Sequence, residues 1–356
     1  MFPSITIGRR KIGLQERPYF IADIAANHDG DLRRAFRLIE LAKEAGADAA
    51  KFQNFKAPLI VSNQGFLSLG QQLSHQASWK KSVYEVYQDA SLADEWSAPL
   101  AEKCAAVGIE YMTSPYDFAS VDLADRFVHA YKIGSGDITW TDILGHIAAK
   151  GKPVILATGA SCWADVDRAV DIVRRGRAGY ALMQCNTNYT ASPENYRFIN
   201  LNVLTAYQSR YPDAVLGLSD HTYGCATVLG AIALGARVIE KHFTDDNSRE
   251  GPDHAFSMTP GTWREMVDRS MELFNALGDG EKRIEENEKE AAVVQRRALV
   301  LRRDMKQGEV ITEGDLFPLR PIPKDGIPPY EANTVVGKRL RHSVKEDQYL
   351  RRDDFE

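Results

Sequence analysis

Two histidines and two lysines, each placed at the end of an apolar run, carry the strongest chemical signal in this chain. His221 follows "LGLSD" and His242 follows "RVIEK", while Lys51 follows "ADAA" and Lys132 sits within "AYKIGS". Imidazoles are borderline ligands for Mn²⁺, Fe²⁺, Zn²⁺ or Co²⁺, so His221 and His242 are candidates to share one divalent ion. Lys51 and Lys132, with Ser114, Ser135 and Ser219 at other run ends, have the composition of a phosphate or carboxylate clamp. Cys185 also closes an apolar run, but no partner base is evident and buried packing is the favoured reading.

These groups can meet only if a fold gathers the run ends. Eight β-rich runs recur, at 19–26, 47–53, 109–114, 130–135, 153–158, 180–185, 214–219 and 237–243, with helical patterns between them. Such alternation calls for a parallel sheet, and eight units suit a TIM (β/α)8 barrel, an α/β fold whose chemistry sits at the C-terminal strand ends. A doubly wound sheet is the competitor, but no G-x-G-x-x-G follows the first run. Polar residues mark each of these ends: Asp23, Asn27 and His28; Lys51 and Gln53; Thr113 and Ser114; Lys132, Ser135 and Asp137; Thr158; "CNTNY"; "SDH"; and "EKH". Random surfacing would not place ionisable groups so regularly at one end, so a shared cleft is expected.

A chain of 356 residues is too long for one ordinary core. The expected division is a barrel over 1–280, a charged linker over 281–293 and a small β-rich, turn-rich domain over 294–356. A formal net charge of −5 with no Lys/Arg run argues against a nucleic-acid partner. No apolar run approaches the roughly 20 residues needed to span a bilayer. The opening "MFPSITIGRRKIG" has no signal-peptide core, so a cytoplasmic location is expected. Four scattered cysteines, none in a C-x-x-C pair, argue against a zinc knuckle or a disulfide framework.

The strand ends resemble the sialic acid synthase (nonulosonate synthase) family. The stretches that carry the resemblance are "IADIAANHDGDL", "EAGADAAKFQNF", "YKIGSGDI", "ILATGAS", "LMQCNTNY", "LGLSDHTYG", "GARVIEKHFT" and "GPDHAFS". The tail, with "KQGEVITEGDL", "LRPIPKDGIPP" and "VVGKRL", resembles the antifreeze-like (SAF) domain that closes that family. The resemblance implies a cytoplasmic transferase that condenses phosphoenolpyruvate with an open-chain N-acyl amino sugar and releases phosphate. It implies that His221 and His242 hold Mn²⁺ or Mg²⁺, with Asp220 beside metal and substrate. Lys51, Ser114, Lys132, Ser135 and Ser219 would hold phosphoenolpyruvate, and Asp23 and Asp137 would serve as nearby carboxylates. Gln53, Tyr189 and Asp253 would face the sugar, and Arg320 would reach a partner's barrel in a domain-swapped homodimer.

Four departures from the family pattern bear on the acceptor. Asp23 and Asp137 stand where glutamate is usual, Thr187 replaces asparagine or serine, and the 57–90 segment differs from the usual version. N-acetylmannosamine-like sugars, diacetamido hexoses and other aldoses all remain candidates. A related condensing enzyme with another acceptor and a non-catalytic carbohydrate-binding barrel are the competing readings. The second gives no physical reason for both histidines, both lysines and Arg320.

Overall fold

The computed structural model describes residues 3–190 and 192–356. The chain divides after Gly278 into two compact units. In the larger unit every expected run forms a strand: β3 Tyr19–Asp23, β4 Ala49–Asn54, β5 Glu110–Pro115, β6 Tyr131–Ile133, β7 Val154–Ala157, β8 Tyr180–Cys185, β9 Val215–Asp220 and β10 Val238–His242. Their order is β5-β4-β3-β10-β9-β8-β7-β6, and the paired strands are parallel throughout. Among the described residues no ladder joins β5 to β6, although these two strands lie side by side, so the barrel is nearly closed.

Strand parity separates two cores, because successive side chains point to opposite faces. Phe20, Ala50, Phe52, Tyr131, Leu182 and Ile239 face the surrounding helices in one large cluster. Tyr19, Ile21, Ala49, Met112, Met183 and Val238 face the barrel axis in a second cluster. Continuing that inward parity toward the strand ends gives Asp23, Lys51, Gln53, Ser114, Ser219, Glu240 and His242. The barrel interior is therefore apolar below and polar above.

An antiparallel hairpin, outside the eight expected strands, precedes the first barrel strand. β1 Ser4–Ile7 and β2 Arg10–Gly13 pair with Ile7 opposite Arg10, leaving the two-residue turn Gly8-Arg9. Gly8 has φ +59°, the left-handed conformation that favours glycine in this turn. Ile5, Ile7 and Ile12 join the inner apolar cluster and fill the interior from the end opposite the polar layer.

The 57–90 segment leaves β4 as three short helices, Ala57–Ile60, Asn63–Ser68 and Val83–Ala90, with a 3-10 turn at Ser74–Ser78. Ala57, Val61 and Val83 form its own small core, packed by Phe66, Trp79 and Tyr87. The last of these helices begins with a capping box between Ser82 and Glu85.

In the smaller unit, β11 Ala298–Leu301 pairs with β12 Leu316–Leu319 around a core that includes Leu299, Leu301, Ile311, Leu340 and Leu350. Isolated bridges such as Val310 with Arg339 and Leu340 with Phe355 complete its β-character. Residues of the expected linker fold with this unit, as a 3-10 turn Glu286–Glu288 and a helix Lys289–Val294.

Ile12 is fully buried in the inner cluster. Ile12→Ala is expected to cost about 2–5 kcal/mol, read by urea unfolding of the full chain. A loss under 1 kcal/mol would show that the hairpin does not support the barrel.

Candidate active site

The polar layer is built around Lys51. Its Nζ lies 2.6 Å from Asp23 Oδ2, and both side chains are at most 3% exposed. Parallel register places Asp23 opposite Lys51, so the ion pair follows directly from strand pairing. Burial alone would lower the Lys51 pKa, but Asp23 and Glu240 outweigh it and the ammonium stays charged. Gln53, two residues on and on the same face, donates from Nε2 to Asp23 Oδ2 at 3.2 Å.

A second ion pair lies across the layer. Lys132 Nζ is 3.2 Å from Glu240 Oε1, which also accepts from Ser219 Oγ at 3.1 Å. Burial would raise Glu240, but Lys132 and Lys51 pull it down to about 2, so it is a carboxylate. Ser135 Oγ accepts the Gly159 N–H at 2.9 Å. A Cβ on Gly159, two residues past β7, would clash with Thr187 Cγ2 and crowd Ser135 Oγ, so glycine lets Ser135 and Thr187 share this space. Ser114 Oγ is buried and has no hydrogen-bond partner among the described residues. A buried hydroxyl in that state suits a ligand oxygen. Asp137, on the 3-10 turn after β6, is raised by burial to about 6, with Lys132 opposing.

His221 and His242 face each other with ring centroids 5.4 Å apart. His221 Nδ1 lies 2.8 Å from the Asn186 carbonyl oxygen. An N–H donated there fixes the tautomer and leaves Nε2 with a lone pair. His242 Nδ1 is buried and without a partner, and its Nε2 is 3.7 Å from Asp23 Oδ2. Burial lowers both imidazoles to about 4, so both are neutral near pH 7. Two neutral rings with lone pairs available fit a divalent ion. Among the described residues no third histidine, cysteine or carboxylate completes a ligand set, so further ligands would be waters or substrate oxygens.

Above the histidines a cavity opens between the strand ends and the 57–90 segment, lined by Gln53, Trp79, Tyr87, Tyr189, His242 and Asp253 among others. The Tyr189 ring lies 4.2 Å from His221 between centroids. Asp253 Oδ2 accepts the Ala26 N–H at 3.1 Å, tying the loop after β10 to the end of β3. Asn27 strengthens the same tie by donating to the Phe243 carbonyl and to Ser257 Oγ.

Residues 38–282 match the NeuB family, and residues 296–356 match the SAF domain. The chain belongs to the NeuB family. It is 37% identical over 328 residues to the N,N'-diacetyllegionaminic acid synthase of Legionella pneumophila, covering 90% of each chain. It is 31% identical over 343 residues to the human N-acetylneuraminate-9-phosphate synthase, covering 96% of this chain and 93% of that one. The crystal structure of the N-acetylneuraminic acid synthetase of Leptospira borgpetersenii, in complex with citrate, is 28% identical, has a TM-score of 0.71, and covers 82% of this chain and 95% of that one. The resemblance to sialic acid synthases and the fold of a barrel followed by a SAF domain are thereby borne out, and this NeuB-family chain is a nonulosonic acid synthase-like enzyme.

The structure gathers most of the expected residues of this NeuB-family site, but not all. Asp220 was expected beside metal and substrate, and its carboxylate instead points out of the barrel. It lies between Ser219 and His221, so inward parity for those two turns it outward. There Asp220 Oδ2 meets Lys241 Nζ at 2.5 Å and Thr227 Oγ1 at 2.7 Å, while Thr222 donates to both its oxygens. Asp220 is therefore a structural anchor for the end of β9. Arg320 lies in the smaller unit, exposed just after β12, and makes no ion pair among the described residues. Glu240 was not singled out as a site residue, yet it is the carboxylate that joins Lys132 to Ser219. Its signal was the spacing to His242, two residues on in the same strand and therefore on the same face. Among the described residues no helix is long and apolar enough to cross a membrane.

Lys241 and Asp220 are both almost fully buried. Lys241→Met leaves the carboxylate without its cation and is expected to cost about 3–5 kcal/mol in denaturant unfolding. Adding Asp220→Leu should recover most of that loss. A single variant as stable as the parent would remove the anchoring role.

Proposed function

We propose that this chain condenses phosphoenolpyruvate with an open-chain N-acyl hexosamine-type aldose to give a nonulosonic acid and inorganic phosphate, a transferase reaction. The observation that carries the reading is the meeting of two buried lysines and two neutral histidines beneath one cavity at the strand ends. The family relatives named above support it, since they are synthases of acidic sugars of this kind.

In this reading Lys51 and Lys132 hold the phosphate and carboxylate of phosphoenolpyruvate, assisted by Ser114, Ser135 and Ser219. Gln53, Tyr189 and Asp253 face the sugar. His221 and His242 would hold Mn²⁺ or Mg²⁺, which when bound polarises the aldehyde carbonyl. C3 of phosphoenolpyruvate bonds to the aldehyde carbon, whose oxygen takes a proton, and positive charge develops at C2. Water adds at C2, and the C2–O bond to phosphorus-bearing oxygen then breaks to leave a ketone. Of the two protons released by the water, one balances the new hydroxyl and the other leaves with phosphate. Asp23 and Glu240 would face the developing cation, and Asp137, half-buried with its pKa raised to about 6, would take the water's proton. Arg320 of a second copy would complete the sugar site in a domain-swapped homodimer.

A phosphate-release assay with Mn²⁺, phosphoenolpyruvate and a panel of N-acyl hexoses tests the reaction, with product mass measured. Phosphate release should require both the aldose and the metal. Replacing His221 and His242 by alanine should abolish metal binding in calorimetry and lower turnover on the order of 10³-fold. Unaltered turnover would sink the metal assignment, and a panel giving no phosphate would sink the reaction.

The Asp137 assignment makes a separate pH prediction. A base must be deprotonated, so kcat/KM should rise with pH through about 6 and level off above it. Asp137→Asn should lower the plateau and remove that limb. Persistence of the limb in this variant would transfer the role to another group.

A further inference from the structure

A second cavity lies at the other end of the barrel, beside the starts of β9 and β10 and opposite the polar layer. At about 220 Å³ it is larger than the cavity above the histidines, at about 150 Å³. Leu14, Tyr211, Val215 and Leu216 give it largely apolar walls, and Gln208, exposed on the helix Val203–Arg210, stands among the lining residues. A ring-sized body fits such a space, since an apolar cavity of roughly 150 Å³ accommodates benzene.

Arg237 is the one charged group among the described lining residues, and it is 4% exposed. A guanidinium has five N–H donors. Three of them go to backbone carbonyls: Nε donates to Leu14 at 2.9 Å, and Nη1 donates to Ile232 at 3.1 Å and to Ala236 at 2.8 Å. The two on Nη2 meet no acceptor among the described residues. Nη2 is nevertheless not sealed in, and the open space that Arg237 lines is the cavity.

The charge is unmatched as well. Lys51, Lys132 and Lys241, the other buried cations among the described residues, each have a carboxylate partner. Arg237 has none, and burial lowers its pKa with no neighbouring charge in opposition. Ile232 and Ala236 lie at and beyond the C-terminal end of the helix Ala226–Ala233, whose dipole favours a cation there. That places the charge but leaves the Nη2 donors unused. A buried guanidinium with two free donors at an apolar cavity is complementary to an anionic head on an apolar body.

We propose that this cavity binds a small organic monocarboxylate with a ring-sized apolar body. The carboxylate accepts from Arg237 Nη2, and the body packs against Leu14, Tyr211, Val215 and Leu216. The site is distinct from the one at the strand ends, with the length of β9 and β10 between them.

Calorimetric titration of the full chain tests this with three probes: phenylacetate, its neutral isostere phenylacetamide, and acetate. Phenylacetate should bind at one site per chain, with phenylacetamide at least tenfold weaker for want of the charge and acetate at least tenfold weaker for want of the body. Excess phosphoenolpyruvate should leave the phenylacetate affinity unchanged, because the strand-end lysines are not involved. Arg237→Gln should weaken phenylacetate at least tenfold. Gln208→Trp, a bulky ring at an exposed position of the lining, should weaken it about fivefold or more with the thermal midpoint retained. Should Arg237→Gln fail to fold, the wild-type ranking of the probes and Gln208→Trp decide. The proposal is overturned if phenylacetate does not bind, if phenylacetamide or acetate matches it, if phosphoenolpyruvate displaces it, or if the folded variants keep the full affinity.

Discussion

A lysine ammonium that is 2% exposed can be held inside a barrel only if carboxylates accompany it, and Lys51 has Asp23 at 2.6 Å. That requirement propagates. Asp23 must stand opposite Lys51 in the β3–β4 register, and Glu240 must approach from the next strand round to reach Lys132 and Ser219. Two cations and two carboxylates then balance within one layer, beside imidazoles that burial keeps neutral. Such a layer gives little hydrophobic stabilisation of its own. It stands on the apolar layer beneath, which the N-terminal hairpin completes with Ile5, Ile7 and Ile12.

The same strand geometry explains which residues the sequence made legible. Lys51, Gln53, Lys132, Ser219 and His242 lie at inward positions of strands whose hydrophobic pattern is clear, so their convergence could be read from spacing alone. Asp220 could not be placed by composition, because "SDH" sets three polar residues in a row and a strand turns only alternate ones inward. "EKH" has the same form on the adjacent strand. Its middle residue, Lys241, lies opposite Asp220 in the ladder, and the two middle residues neutralise each other outside the barrel. Parity applied strictly would have separated this structural pair from Glu240 and the two histidines.

Other features had little sequence signal. β1 and β2 have four residues each, and their apolar positions read as an unremarkable N-terminus until the barrel interior is seen to need filling. In the 57–90 segment the more buried apolar residues are divided between a small core and the cavity wall, while Leu59, Leu67, Leu69 and Leu73 are exposed. Neither periodicity nor composition distinguishes those two uses. Arg320 shows the limit of local reasoning most simply: its surroundings within the smaller unit supply no ion-pair partner, so nothing near it in sequence explains its charge.

Because the 57–90 segment has a core of its own in Ala57, Val61 and Val83, its interior packing is separate from that of the strands it covers. The wall it contributes is thus a cassette. Its side chains can diversify without disturbing the ion pairs below, which depend on strand register rather than on the segment. A barrel organised in this way can change what its cavity admits through changes in a single excursion of the chain, while the ion pairs at the strand ends keep their places.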